Sequence, residues 1–219
     1  TTIEKIAKLK PAFDKYVGTI TAANASFLTD GATAVLLTSE DKAKELGLTP
    51  KAELVDYTFT GGDLYEELLL GPAYSIAEVL TKNNLTIDDI DVFEIHEAFA
   101  GQVLANLNAL ASAEWCKKQL GLEKPIGRIP MNKLNQWGGS LSIGHPFGAT
   151  GGRLLTMAAN RLQHGGGKYA ILAACAAGAH GHAMLIKRYE TTEQKVKSAA
   201  KNVIEKAEEK LEDLKEKIK

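Results

Sequence analysis

Three residues of this sequence could perform acid/base or nucleophilic chemistry together. Cys175 stands in Ala173-Ala174-Cys175-Ala176-Ala177-Gly178, His145 in Gly144-His145-Pro146-Phe147-Gly148, and His96 in His96-Glu97-Ala98-Phe99. A thiol reacts as thiolate, so Cys175 needs a local device that lowers its pKa. A neutral imidazole can take a proton from a thiol or donate to an oxyanion. The small residues around Cys175 admit a ligand closely and leave backbone N–H groups free to stabilise an anion. The chemistry these types permit is acyl transfer through a thiol. Each residue also has a structural reading: an inert cysteine ending a core strand, a turn histidine, and a histidine at a strand–helix junction. His180 and His182 alternate beside Cys175. No second cysteine or acidic ligand accompanies them locally, so no metal site is expected.

Such residues need rigid elements to hold them. Ala34-Val35-Leu36-Leu37 reads as a buried strand, and Ser39 as the cap of a short helix ending at Gly47. Ala52 to Phe59 alternates in part, as a strand does. Gly71-Pro72 opens an amphipathic helix with Ile76, Val79 and Leu80 on its apolar face. Asp91 to Ile95 is a predicted strand, with a helix following from Glu97 to about Leu110 and a shorter one over Ala113 to Leu120. Residues 121–139 carry two prolines and read as a loop. Past the His145 turn, Ala149 to Leu162 fits a helix stopped by Gly165-Gly166-Gly167, with His164 exposed at its end. Tyr169 to Cys175 and His182 to Tyr189 are predicted antiparallel strands. This alternation is that of a layered α/β domain.

From Thr191 onward the character changes. Val196, Ala200, Val203, Ala207, Leu211, Leu214 and Ile218 fall at heptad spacing among Lys and Glu. The pattern predicts an amphipathic helix whose apolar seam needs a partner, on its own domain or on another chain.

Across 219 residues, 45% hydrophobic and 24% charged, the composition is that of an ordinary globular protein. A net charge of −1 gives no footprint for nucleic acid. No apolar run approaches the roughly 20 residues of a membrane span. Two cysteines are too few for a disulfide framework. The first residue is Thr1, so a processed product or a fragment is expected, and any targeting segment is unread.

The order of the motifs brings a family into view. Asn24-Ala25-Ser26, Thr29-Asp30-Gly31-Ala32, His96-Glu97-Ala98-Phe99, Gly138-Gly139-Ser140, Gly144 to Gly151 and Cys175-Ala176-Ala177-Gly178 resemble thiolase signatures, in thiolase order. The resemblance covers residues 1–189. The form with His96 is similar to the mitochondrial trifunctional β-subunits and their bacterial relatives, whereas most thiolases have Asn there. It implies a βαβαβαββ layered half: 1–45 the end of the first half, 46–190 the C-terminal domain, 191–219 a helical addition. The implied activity is acyl transfer to CoA in fatty-acid β-oxidation, with CoA and acyl-CoA as substrates, no resident cofactor, and a mitochondrial matrix location.

By the same resemblance, His145 activates a nucleophilic cysteine and helps bind the thioester oxygen. Cys175 is the acid/base cysteine. His96 acts in the oxyanion hole beside His145, and the Ala177 N–H sits near the other oxyanion hole. Ser26 contacts the pantetheine arm, and Phe99 and Phe147 line the acyl or pantetheine channel. The nucleophile belongs to the first half, and Cys116 does not match it. A separate first half on another chain, a homo-oligomer, or both are therefore the expected partners. The alternative is a non-catalytic thiolase half serving as a structural subunit, and a third is an incomplete piece of an ordinary thiolase. Gly152 and Ala179 stand where relatives carry other residues.

Overall fold

The computed structural model describes residues 1–191. The predicted heptad helix and its partner lie outside the described residues. The chain divides into a unit Thr1–Arg188 and a unit Tyr189–Lys219, and the first carries everything that follows.

Short helix α1 spans Ile3–Ile6, and α2 spans Glu40–Glu45 with the Ser39 hydroxyl accepting from the Lys42 N–H. Strand β1 (Ala52–Gly61) precedes α3 (Gly71–Lys82), which starts with Pro72 in its first turn, where a missing N–H costs nothing. Then come β2 (Val92–Ile95), α4 (Ala100–Ala111), α5 (Ala113–Leu120) and α6 (Ser140–Ile143). A 3₁₀ turn at Phe147–Ala149 leads into α7 (Thr150–Gly165), followed by β3 (Tyr169–Ala176) and β4 (His180–Arg188).

The sheet order is β1-β4-β3-β2, with β2 and β3 parallel and the other pairs antiparallel. Ile76, Val79 and Leu80 of α3 and Val103, Leu107 and Leu110 of α4 pack on one face, against Phe93, Ile95, Ile171 and Leu185. Leu154, Ala158 and Leu162 of α7 cover the other face, against Val92, Ala170, Leu172 and Ile186. Each such side chain contributes about 1.5–3 kcal/mol on full burial. The result is the three-layered α/β unit that the alternating pattern predicts.

Three elements differ from the sequence expectation. Ala34 to Leu37 forms no strand, and Leu36 and Leu37 are more than 70% exposed. An apolar run becomes a strand only where a neighbour pairs its N–H and C=O groups, and no described strand lies beside it. Helix α4 starts at Ala100 rather than Glu97, because the residues before it are extended against 24–26. The Ser26 N–H donates to the Ala98 carbonyl and the Ala100 N–H to the Asn24 carbonyl, both at 2.9 Å. Finally, the middle strand of the implied βαβαβαββ order contracts to one parallel bridge, Phe93 with Leu134. Asn135 leaves the ladder at φ +45°, and its side-chain amide substitutes: Oδ1 accepts from the Ile95 N–H and Nδ2 donates to the Ile95 carbonyl.

Candidate active site

The sequence places His96 and His145 far apart, and the fold brings them together. His96 ends the level of β2, its N–H donating to the Ala173 carbonyl of β3 at 2.8 Å. His145 is carried by the turn between α6 and α7. That turn is strapped by residues 27–33: the His145 N–H donates to the Phe27 carbonyl at 3.0 Å, and the Thr33 hydroxyl to the Ala149 carbonyl at 3.1 Å. The strap lies so close that a Cβ on Gly152 would stand 2.3 Å from the Thr33 Oγ1. Glycine at 152 thus matches a local need for space.

Cys175 comes from the last turn of β3, facing Gly181 of β4. Behind that pair, α3 touches β4 backbone to backbone. A Cβ on Gly71 would meet the Gly181 Cα at 2.5 Å, so only glycines permit this approach. Asn106 fixes the preceding loop, accepting from the Ala73 N–H at 2.8 Å and donating to the Leu69 carbonyl at 2.9 Å.

His96, His145 and Cys175 line one cavity of about 420 Å³, with Leu69, Ala98, Phe147, Thr150, Gly151, Ala174, Ala176 and Ala177. That volume suits a small-molecule site. The two imidazole rings lie 4.2 Å apart, centroid to centroid, tilted by 34°. The His96 Nδ1 is 2.8 Å from the Ser140 Oγ, and the His145 Nδ1 is 2.7 Å from the Thr150 Oγ1. Among the described residues, each ring keeps Nε2 as its free nitrogen. Phe147 sits at φ +33°, a strained conformation for a bulky residue, in the turn that presents His145.

Electrostatics hold the imidazoles neutral. Burial lowers the His96 pKa to about 4, with the neighbouring His145 and then Arg153 adding to the effect. Burial and then Arg153 lower His145 as well. For Cys175 the structure corrects the expectation of a thiolate-stabilising device. Burial pushes its thiol up, outweighing a hydrogen bond from its own backbone N–H. At neutral pH Cys175 is therefore a proton donor first.

Of the other sequence-predicted residues, Phe147 and Ala177 line the cavity, whereas Ser26 and Phe99 do not. Those two pair with each other's neighbourhood, through the Ala25–Phe99 bridge, and Phe99 meets the Phe13 ring edge-on at 5.9 Å. Cys116 is fully buried, its Sγ within 3.7 Å of the Ala109 and Leu110 carbonyls, and is not part of the cavity. Thr150, Ser140, Arg153 and Asn106 carry no local pattern of their own. Thr150 and Ser140 fall within quoted motifs, yet their partnership with the histidines emerges only in three dimensions.

Known proteins share this arrangement of sequence and fold. A family model described as the thiolase C-terminal domain matches residues 48–188, and one for the thiolase N-terminal domain matches residues 1–41. The chain is 59% identical over 189 residues to a probable 3-ketoacyl-CoA thiolase of Caenorhabditis elegans, covering 86% of this chain and 42% of that protein. It is 54% identical to the mitochondrial trifunctional enzyme subunit beta of Bos taurus, covering 86% and 40%. Among solved structures, human mitochondrial 3-ketoacyl-CoA thiolase in complex with CoA superposes with a TM-score of 0.69 at 33% identity, covering 87% of this chain and 43% of that one. The Bacillus anthracis acetyl-CoA acetyltransferase gives 0.72 at 38%, covering 86% and 43%. The chain therefore spans less than half the length of the relatives it matches.

Proposed function

The chain belongs to the thiolase family, and on that premise we propose that it supplies the acid/base half of a 3-ketoacyl-CoA thiolase acting in fatty-acid β-oxidation. The nucleophilic cysteine comes from a thiolase first half, on the same polypeptide or on another chain. The observation that carries this reading is the meeting of two imidazoles and a thiol in one cavity.

In the forward reaction His145 takes the proton of the nucleophilic thiol. The thiolate attacks the C3 carbonyl of 3-ketoacyl-CoA, and the C2–C3 bond breaks. The released electron pair forms the acetyl-CoA enolate, whose oxygen accepts hydrogen bonds from His96 and His145. Cys175 protonates the enolate at C2, which its raised pKa favours. The resulting Cys175 thiolate then takes the CoA thiol proton, and the CoA sulfur attacks the acyl-enzyme. Collapse expels the nucleophile as thiolate and completes acyl transfer. The backbone N–H of Ala177 serves the acyl-enzyme oxyanion. Phe147 lines the channel at the cavity, and Ser26 and Phe99, which lie outside the cavity, are assigned to the pantetheine arm beyond it. CoA and acyl-CoA enter as substrates, and the scheme uses no resident cofactor.

The family match of residues 1–41 and the exposure of Phe13, Val17, Leu36 and Leu37 support a first half packed over the N-terminal segment. The bovine relative's name supports a mitochondrial location, which we place in the matrix, within an oligomer. The test is mass spectrometry of the native protein captured through this sequence, with thiolysis assayed on the same sample. A thiolase first half in the sample, and activity lost in Cys175→Ala, are expected. A stoichiometric assembly with no such half, and no thiolysis, would instead establish a structural subunit.

A further inference from the structure

We propose that Arg153, through Ser140, locks His96 in the tautomer that carries its proton on Nε2, making it a permanent hydrogen-bond donor to the cavity. Arg153 and Ser140 are positioning residues, since neither lines the cavity. The inference rests on the reading of His96 as an oxyanion donor, although the tautomer itself can be tested without it.

The Ser140 Oγ makes two hydrogen bonds among the described residues, to the His96 Nδ1 and the Arg153 Nη2, each 2.8 Å long. A guanidinium only donates, so the Ser140 oxygen accepts from Arg153. Ser140 is fully buried, so its hydroxyl hydrogen needs an acceptor within the protein. Its one available acceptor is the His96 Nδ1. Were Nδ1 protonated instead, the Ser140 O–H would be a buried donor without a partner, which proteins avoid. Nδ1 is therefore the acceptor, and the proton of the neutral ring sits on Nε2.

Arg153 is half-buried, its Nη1 lying 3.6 Å from the Met157 Sδ and its Nε without a hydrogen-bond partner among the described residues. The charges of Glu94 and Glu97 favour its cationic form against burial. Glu97 is fixed in turn, accepting from the Asn135 amide at 2.7 Å and the Leu141 N–H at 3.0 Å. The same cation stands near both histidines and opposes their protonation.

His145 is treated differently. Its Nδ1 partner, Thr150, is also buried but lines the cavity, so a ligand there can offer the hydroxyl another acceptor. Thr150 can reverse its hydrogen bond, and Ser140 cannot. Two adjacent imidazoles thereby take two roles: His145 exchanges a proton, and His96 holds one.

The test is nitrogen NMR of the native protein, with its partners, labelled at histidine. The expected spectrum shows His96 protonated at Nε2 and unprotonated at Nδ1 from pH 8 down to about pH 5. A wild-type His96 protonated at Nδ1 overturns the proposal, and no variant is needed to see it. In Ser140→Ala the tautomers should mix, and Arg153→Lys should retain more of the lock than Arg153→Met. An unchanged tautomer in a folded Ser140→Ala overturns the role of Ser140. Under the proposed activity, Ser140→Ala lowers kcat by about tenfold or more with little change in KM, and Arg153→Lys recovers part of the Arg153→Met loss. A locked tautomer in a protein without thiolysis would sink the thiolase reading and leave this inference standing.

Discussion

Replacing His96 by Asn, the residue most thiolases have there, isolates the effect of its burial on acid stability. In the folded protein His96 titrates near pH 4, against 6.5 when unperturbed. Below pH 6.5 the unfolded chain binds a proton that the folded one refuses. Stability attributable to His96 is thus complete above pH 6.5 and lost as pH falls through 4. The linkage relation gives a loss of about 2 kcal/mol at pH 5, approaching about 3 kcal/mol below pH 4. His145 is shifted in the same direction and Glu94, raised by burial, in the opposite one. Both remain in the variant, so their own burial cancels in the difference, leaving only the charge coupling of His145 with His96. The assay is urea unfolding of wild type and His96→Asn at pH 7.5, 6 and 5. The substitution removes the Ser140 contact at every pH, so the variant starts less stable. The gap should then narrow by about 2 kcal/mol between pH 7.5 and 5. Parallel curves would refute the reasoning, since they would mean that His96 is protonated as readily in the folded state as outside it.

Other substitutions test the frame around the site. Ala179 sits at φ +56° in the turn between β3 and β4 with its methyl fully buried; the backbone favours glycine by about 1–2 kcal/mol and the lost methyl costs about 0.8 kcal/mol, so Ala179→Gly should change stability by less than about 1 kcal/mol in urea unfolding. Arg161 pairs at 2.5 Å with Glu94, a fully buried carboxylate. Arg161→Met should cost about 3–5 kcal/mol at pH 7.5 and less at pH 5, where the stranded carboxyl can protonate.

Much of the architecture was legible because its signals are local. Pro72 after Gly71, the cap at Ser39 and the 3.6-residue spacing of Ile76, Val79 and Leu80 each predict an element that forms. The failures share a cause, namely long-range pairing. Ala34 to Leu37 has strand composition and no strand beside it. Glu97 to Phe99 has helical neighbours, yet pairs with residues 24–26. Residues 121–139, by contrast, form the expected loop apart from one bridge, beyond which the Asn135 side chain bonds the Ile95 backbone. At the site, motif order identified the residue types, but not the geometry that sets their protonation. The small residues flanking Cys175 suggested a lowered pKa, whereas the fold buries the thiol and raises it. The bond between Ser140 and His96 spans 44 positions and leaves no trace in local sequence.

The central claim is that Cys175, His96 and His145 move a proton at the α-carbon of a CoA thioester. Proton exchange into acetyl-CoA tests it without requiring the first-half nucleophile to react. The native protein, incubated with acetyl-CoA in D₂O, should place deuterium in the acetyl methyl group, faster as pH rises toward the elevated Cys175 pKa. Cys175→Ala should stop the exchange while acetyl-CoA still binds. Exchange that persists in a folded Cys175→Ala protein, or its absence from wild type with acetyl-CoA bound, would contradict the assignment of this cavity as the acid/base site.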